Sequence, residues 1–458
     1  MRVIICGAGQ VGYNIASYLA LEDNDVTVVD MEADLISRIN DTLDVNGIVG
    51  HASNPNVLSA AGAKDADMMI AVTQSDEVNM VACQIGHSLF GIPKKIARIR
   101  EQAYLAPEWS NLFSRAHMPL DVIISPEVVI ANDIQQRLEV PGTTFVTSLA
   151  EGRAYLIGVV CNEDCPIVNT PIDQIQYLFP DLSFQIMALR RNNKAHIPDK
   201  RDFMEVGDEV FFIVSKTHLK RTMGVFGHEE KEARRIIIAG GGNIGMGLAK
   251  LLRKSESKLN LKIIDHNVKR AEILSKNLED VIVLNGSALE KRVLEEAGIS
   301  GTDTFIAVTN DDESNILGSL LAKQYGCKRV ITLVNNDVYS PLVGPLGVDA
   351  MVSPRSLLVS TIMQHVRRGR IKGLYNLRDG FAEVLEAEVS DTSSIVNLTV
   401  DEINLTHEII VGGIIRNGEF HVPKGEMKVQ ARDVVTILAS RSQIHNVEKM
   451  FSVQVDLF

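Results

Sequence analysis

Apolar residues fall along this chain in short blocks, separated by longer segments in which they recur every three or four positions. In the first third the blocks are 2–6, 26–30, 47–50, 68–73, 95–99 and 122–125, with helix-length segments such as 10–20 and 77–90 between them. Strand, helix, strand at this spacing predicts a parallel, doubly wound sheet. From 141 to 214 the pattern changes. Short runs at 144–148, 153–160, 183–190 and 209–214 are divided by turn residues, which predicts a smaller, strand-rich domain.

The same sequence of patterns then begins again. RVIICGAGQVG from Arg2 returns as RIIIAGGGNIG from Arg235, and AVTQSDEVN from Ala71 as AVTNDDESN from Ala307. Ser125-Pro126 is matched by Ser353-Pro354, IVNTPIDQI from Ile167 by IVNLTVDEI from Ile395, and His196-Ile197-Pro198 by His421-Val422-Pro423. Five matches in one order make the chain a two-part module written twice. The fold class expected is α/β: two Rossmann-like, doubly wound parallel-sheet domains, each followed by a small strand-rich α+β domain. The boundaries expected are 1–138 and 140–225 for the first copy, a charged linker at 226–234, and 235–368 and 372–458 for the second.

Composition narrows the classes. Of 458 residues 45% are apolar and 23% charged, ordinary globular usage. Lys plus Arg number 46 against 58 Asp plus Glu, a net charge of −12, and such a field repels phosphate backbones, which argues against nucleic-acid binding. No run approaches the roughly 18 apolar residues that span a bilayer. Met1 leads straight into a strand-like run and a glycine turn, not a signal peptide. A cytoplasmic protein is expected, acting on a membrane only through a partner. Cys6, Cys83, Cys161, Cys165 and Cys327 are too few and scattered for a disulfide framework or a zinc site, so no metal is expected.

The chemistry concentrates at the glycine turns. Gly7, Gly9 and Gly12 follow an apolar strand and open a helix, and Asp30 ends the next strand. Gly240, Gly242, Gly245 and Asp265 repeat this. The first glycine permits the tight turn, the second lets backbone approach a pyrophosphate, and the third lets helix and strand pack closely. The helix start offers unpaired N–H groups to phosphates. Asp30 or Asp265 can accept both ribose hydroxyls. A 2′-phosphate against Asp30 and Glu32 would bring like charges together, so NAD is preferred over NADP in the first copy. Lys269 and Arg270 leave the second copy open.

Thr73-Gln74 and Thr309-Asn310 end the fourth strand of each sheet, where the crevice of a doubly wound sheet lies. Asp76, Glu77, Asp311, Asp312 and Glu313 follow at once, suited to a divalent cation or, more ordinarily, to a helix dipole. Arg98 on the fifth strand is placed to reach a phosphate; aligning KIARIR with RVITLV puts Thr332 opposite it, so the two sites differ. After each Ser-Pro comes a helix with an apolar stripe, Ile130, Ile134 and Leu138 in one copy and Leu358, Ile362 and Val366 in the other. Each stripe packs on its own sheet or crosses onto the other nucleotide domain.

Hydride transfer needs a second domain with an acid or base beside the nicotinamide. The small domains show no His–Asp pairing, Ser–His arrangement or ligand cluster, and His196 and His421 read as structural. No catalytic residue is expected. An NAD-dependent oxidoreductase with an unrecognised catalytic group is the alternative.

GAGQVG, GGGNIG, AVTQSDEVN with the later ARIR, and the appended small domains resemble the regulator-of-potassium-conductance family, the RCK or KTN modules. The tandem arrangement over essentially the whole chain is similar to the regulatory subunits of Trk-type potassium uptake systems. The resemblance implies an NAD-binding gating subunit, peripheral on the inner face of the membrane, that docks on a membrane potassium-translocating subunit. It further implies a homo-oligomeric ring, expected to be a tetramer, with ATP and ADP as competing ligands. Position by position, the family's nucleotide site falls on Gly7, Ala8, Gly9, Gln10, Val11, Gly12, Asp30, Thr73, Gln74 and Arg98. In the second copy it falls on Gly240, Gly241, Gly242, Asn243, Ile244, Gly245, Asp265, Thr309 and Asn310.

Overall fold

The computed structural model describes residues 1–21, 24–192, 194–255, 259–366, 371–377, 381–404 and 408–451. The expected ends of the last two domains, at 368 and 452–458, lie outside them.

The first sheet has six parallel strands, Arg2–Cys6, Asp25–Asp30, Asn46–Val49, Met68–Ala71, Lys94–Arg98 and Val122–Ile124. Numbered along the chain, they lie in the order 3-2-1-4-5-6. The second sheet repeats this order with Arg235–Ala239, Asn260–Asp265, Ile282–Asn285, Thr304–Ala307, Arg329–Leu333 and Ala350–Val352. Residues Val3–Cys6 are buried throughout, as a central parallel strand covered on both faces requires. The doubly wound expectation holds in both copies. In this topology the strand order reverses beside the first strand, where the glycine turns sit.

Helix Gln10–Ala20 buries Gly12, Ile15, Ala16 and Leu19, one stripe of a 3.6-residue repeat. Its counterpart Asn243–Ser255 buries Gly245, Leu248, Ala249 and Leu252.

Each α/β half is followed by a five-stranded antiparallel sheet. The first comprises Thr143–Leu149, Ala154–Val160, Phe184–Arg191, Lys194–His196 and Glu209–Ser215, with helix Ile172–Leu178. Lys194–His196 was not legible beforehand, because a three-residue edge strand has no alternation to reveal it. Phe212 stacks on Phe226 with ring centroids 4.4 Å apart, and Phe184 meets both edge-on.

The chain forms two compact units, and the Ser-Pro helices decide their membership. Residues 1–129 are joined by 354–366 from the second copy, and residues 130–353 group with the chain beyond 366. Helix Pro354–Val366 therefore packs with the first nucleotide domain, against Gln10–Ala20 and Val122–Ile124. Its Leu358, Ile362 and Val366 are at most 4% exposed, and burying each contributes about 1.5–3 kcal/mol. Ile130, Ile134 and Leu138 are buried likewise and belong to the other unit. Of the two readings of the stripes, crossing is the one observed.

The first residue of each fifth strand caps the incoming helix. Lys94 Nζ donates to the carbonyl of His365, and Arg329 donates to those of Arg137 and Thr143 at 2.9 and 2.8 Å. A cation among the last carbonyls of a helix meets the negative end of its dipole.

Candidate functional site

The first glycine turn is built by close backbone approach. Gly7 has φ +113°, and a Cβ there would lie 3.0 Å from Thr73 N. A Cβ on Gly12 would come within 1.8 Å of the Gly7 carbonyl oxygen. At Gly9 a Cβ would meet nothing within 4 Å. Gly7 and Gly12 are thus demanded by packing, whereas Gly9 keeps open the space in front of the helix. Gly9 and Gln10 are exposed and Val11 half-buried, so the first N–H groups of Gln10–Ala20 face a free surface with no side-chain cap.

Asp30 closes the other side. Its Oδ2 accepts from Ala8 N–H at 2.6 Å and its Oδ1 from Glu32 N–H at 3.0 Å, which leaves each oxygen a further lone pair for a ribose hydroxyl. Opposite, Arg98 donates from Nη2 to the Thr73 carbonyl at 2.6 Å, while its Nε is buried without a partner. Burial, with Arg100 nearby, lowers the Arg98 pKa from its ordinary value. Gln74 is exposed on the rim. The structure therefore gathers Gly7 to Gly12, Asp30, Thr73, Gln74 and Arg98 around one crevice. An open second glycine, a bare helix start and an orphaned guanidinium N–H fit a diphosphate. Asp30 fits a ribose.

The second turn repeats the frame. Gly240 has φ +106°, and its Cβ would lie 2.9 Å from Thr309 N. A Cβ on Gly245 would lie 1.9 Å from the Gly240 carbonyl oxygen, and Gly242 faces open space. Asp265 accepts from Gly241 N–H at 2.7 Å and Asn267 N–H at 2.8 Å. Asn243 and Asn310 are exposed, and Ile244 is half-buried.

Two residues that hold the rims were not singled out from the sequence. Asn79 is fully buried; its Oδ1 accepts from Thr73 N–H at 2.9 Å and Thr73 Oγ1 at 2.7 Å. Its Nδ2 donates to the carbonyls of Thr73 and Arg98 at 3.2 and 2.9 Å. Asn315 does the same for Thr309 and Leu333. Both close the repeated nonapeptides, and that recurrence was the available signal.

The strand register corrects the partner assigned to Arg98. Ala71 pairs with Ala97, and Ala307 with Thr332, so the residue opposite Arg98 in the second copy is Leu333, not Thr332. The inequality of the sites stands. The acidic residues after each rim resolve as structural: Asp76 Oδ2 accepts from Arg100 and Glu101 N–H groups, both at 2.8 Å. Asp312 accepts from Asn335 and Asn336, and Asp311 caps its helix through Ser314 N–H. A His–Asp pair does exist in the first small domain, His196 to Asp202 at 3.6 Å. It is about half exposed and belongs to neither glycine turn. The five cysteines are buried and free, and burial, followed by Asp30, pushes the Cys6 thiol up to about 12.

Known proteins match this arrangement. The model of the TrkA-N domain matches residues 3–126 and 236–354, and that of the TrkA-C domain residues 384–452. The chain is 46% identical to the Trk system potassium uptake protein TrkA of Azorhizobium caulinodans, over the full length of both. Among solved structures, a GsuK channel bound to NAD superposes with a TM-score of 0.60 at 16% identity, covering 98% of this chain and 78% of that one. A GsuK structure bound to ADP superposes with a TM-score of 0.50 at 16% identity, covering 79% and 68%. Among the described residues no helix is long and apolar enough to cross a membrane.

Proposed function

We propose, for a chain that belongs to the TrkA family of Trk-system potassium uptake proteins, that nucleotide occupancy of its glycine turns sets the activity of a membrane potassium-translocating subunit. Family membership makes it a regulatory component of potassium transport, not an enzyme, and removes the oxidoreductase alternative. The ligand at the first turn is NAD(H), with ATP and ADP competing for the same cradle. The working particle is a homotetrameric ring docked on the cytoplasmic face of its partner.

The observation that carries this reading is the first crevice itself. Gly9 is kept clear, the helix start is uncapped, Arg98 Nε has no partner, and Asp30 ends the next strand with its carboxylate on the Ala8 N–H. When bound, the nucleotide supplies charge and hydrogen bonds at these points, not reactivity. The diphosphate lies on the N–H groups of Gly9 to Val11 with Arg98 beside it, and the adenosine ribose on Asp30.

Occupancy has a short route outward. Helix Gln10–Ala20 takes the phosphate charge at its start and carries the crossed helix Pro354–Val366 on its flank, with Arg355 donating to Asn14. A ligand that draws on the start of the first helix acts on the second through that contact. It shifts the equilibrium only by its difference in affinity for the two shapes, typically about 1–3 kcal/mol. NAD and a triphosphate reach different distances past the glycines, which lets them favour different shapes.

Because nothing stands within 4 Å of a Cβ at Gly9, and its φ of −63° suits any residue, Gly9→Asp fills and charges the cradle without disturbing the core. Calorimetry with NAD+ is expected to show the first site lost in Gly9→Asp protein. Undiminished binding in that variant would refute the assignment of the ligand to this turn.

A further inference from the structure

The two turns share a frame but not a charge. The registers Arg2 with Asp25 and Arg235 with Asn260 align the second strands, so positions 30–35 correspond to 265–270. In the first copy these positions hold Asp30, Glu32 and Asp34, a charge of −3; in the second they hold Asp265, Lys269 and Arg270, a charge of +1, with His266 beside them. Leu35 is replaced by Arg270. At the opposite end the change runs the other way, since Arg98 is replaced by Leu333.

Arg270 is aimed at the glycine turn. Its Nε donates to the Gly241 carbonyl at 2.6 Å, and its Nη2 approaches Asn243 Oδ1 at 3.3 Å and Met246 Sδ at 3.8 Å. Its Nη1 has no protein partner among the described residues. Asn267, in place of Glu32, caps the Arg270 N–H at 3.2 Å, which fixes the start of that helix and the arginine on it. Asp265 already receives two backbone N–H groups and is 8% exposed. What a ligand meets beyond it is the guanidinium and, on the same exposed turn, Lys269 and His266.

Positive charge has thus moved from the diphosphate end of the first site to the ribose end of the second. A planar guanidinium with a free N–H is suited to a phosphate oxygen. We infer that the second turn takes an adenine dinucleotide carrying a phosphate on its adenosine ribose, the chemistry of NADP, while the first takes the bare ribose of NAD. This rests on the glycine turns being nucleotide sites.

Full-length Gly9→Asp protein isolates the second turn, and Gly242→Asp, also into open space, isolates the first. Calorimetry with NAD+ and NADP+ is expected to show at least a tenfold preference for NADP+ in Gly9→Asp protein. The opposite preference is expected in Gly242→Asp protein. Arg270→Leu, which installs the first copy's residue, is expected to abolish the preference for NADP+ in the Gly9→Asp background. Equal or tighter NAD+ binding in Gly9→Asp protein that keeps Arg270, or no binding of either, would overturn the inference while NAD+ binding to Gly242→Asp protein left the function standing. Absence of both ligands from the unsubstituted chain would instead overturn the reading of the turns themselves.

Discussion

At the rim of each crevice a fully buried asparagine secures the carbonyl end of one strand to the next. Removing Asn79 takes the Asn79 bonds from Thr73 N–H and the Arg98 carbonyl, while the Thr73 carbonyl keeps Arg98 Nη2, and each unmade buried bond costs roughly 1–3 kcal/mol. Asn79→Ala is therefore expected to destabilise the first unit by about 3 kcal/mol, read as a lower midpoint in urea, and to weaken NAD+ binding at the first turn. Asn315→Ala is expected to leave that turn's affinity unchanged. The glycines were legible in the sequence because each has a backbone role fixed by spacing, and Asp30 and Asp265 because each ends the strand that follows its turn. The role of Asn79 was not, since it depends on which residues lie side by side across parallel strands. The assignment of Thr332 failed for a related reason. A central parallel strand is apolar on both faces, so KIARIR and RVITLV slide past one another without penalty until the register is seen.

Among the elements, the crossed helices carry the clearest consequence of the duplication. Their stripes were visible at four-residue spacing, but an apolar stripe does not name the surface that covers it, and only the tertiary structure separates the two choices. The small sheets meet within one unit. Met187 lies over Gly412, where a Cβ would come within 2.4 Å of its terminal methyl. Gly412→Val is expected to lower the Tm by several degrees, and Met187→Ala in the same chain to restore part of the loss, since the volume then fits again. Beside this contact Glu386 is 5% exposed and accepts the Ala150 N–H at 2.7 Å. Burial pushes its carboxyl up from the ordinary 4.5, opposed in part by that N–H. A raised carboxyl pKa in the folded state means that the folded chain holds the proton more tightly. Its contribution is full below about pH 4.5 and is lost as pH rises through the folded value. Glu386→Gln is therefore expected to be more stable than the unsubstituted chain at pH 8, with the difference shrinking toward pH 4. A constant difference across that range in thermal melts would contradict the linkage.

Over the whole molecule, two copies of one scaffold have diverged at residues around the glycine turns while keeping those that hold the frame. Gly7, Gly12 and Asn79 have their equivalents in Gly240, Gly245 and Asn315. Arg98, Glu32 and Leu35 do not. That division of kept and changed residues is what the proposed reading of two unequal nucleotide turns requires. Occupancy of the first turn is proposed to govern potassium movement. Potassium uptake should be measured in cells whose own copy is replaced by the unsubstituted chain or by Gly9→Asp, as the NADH to NAD+ ratio is varied. The expected result is a rate that follows the ratio with the unsubstituted chain and becomes indifferent to it with Gly9→Asp, at equal protein levels. A response of the same size in both strains would mean that the first turn does not govern uptake.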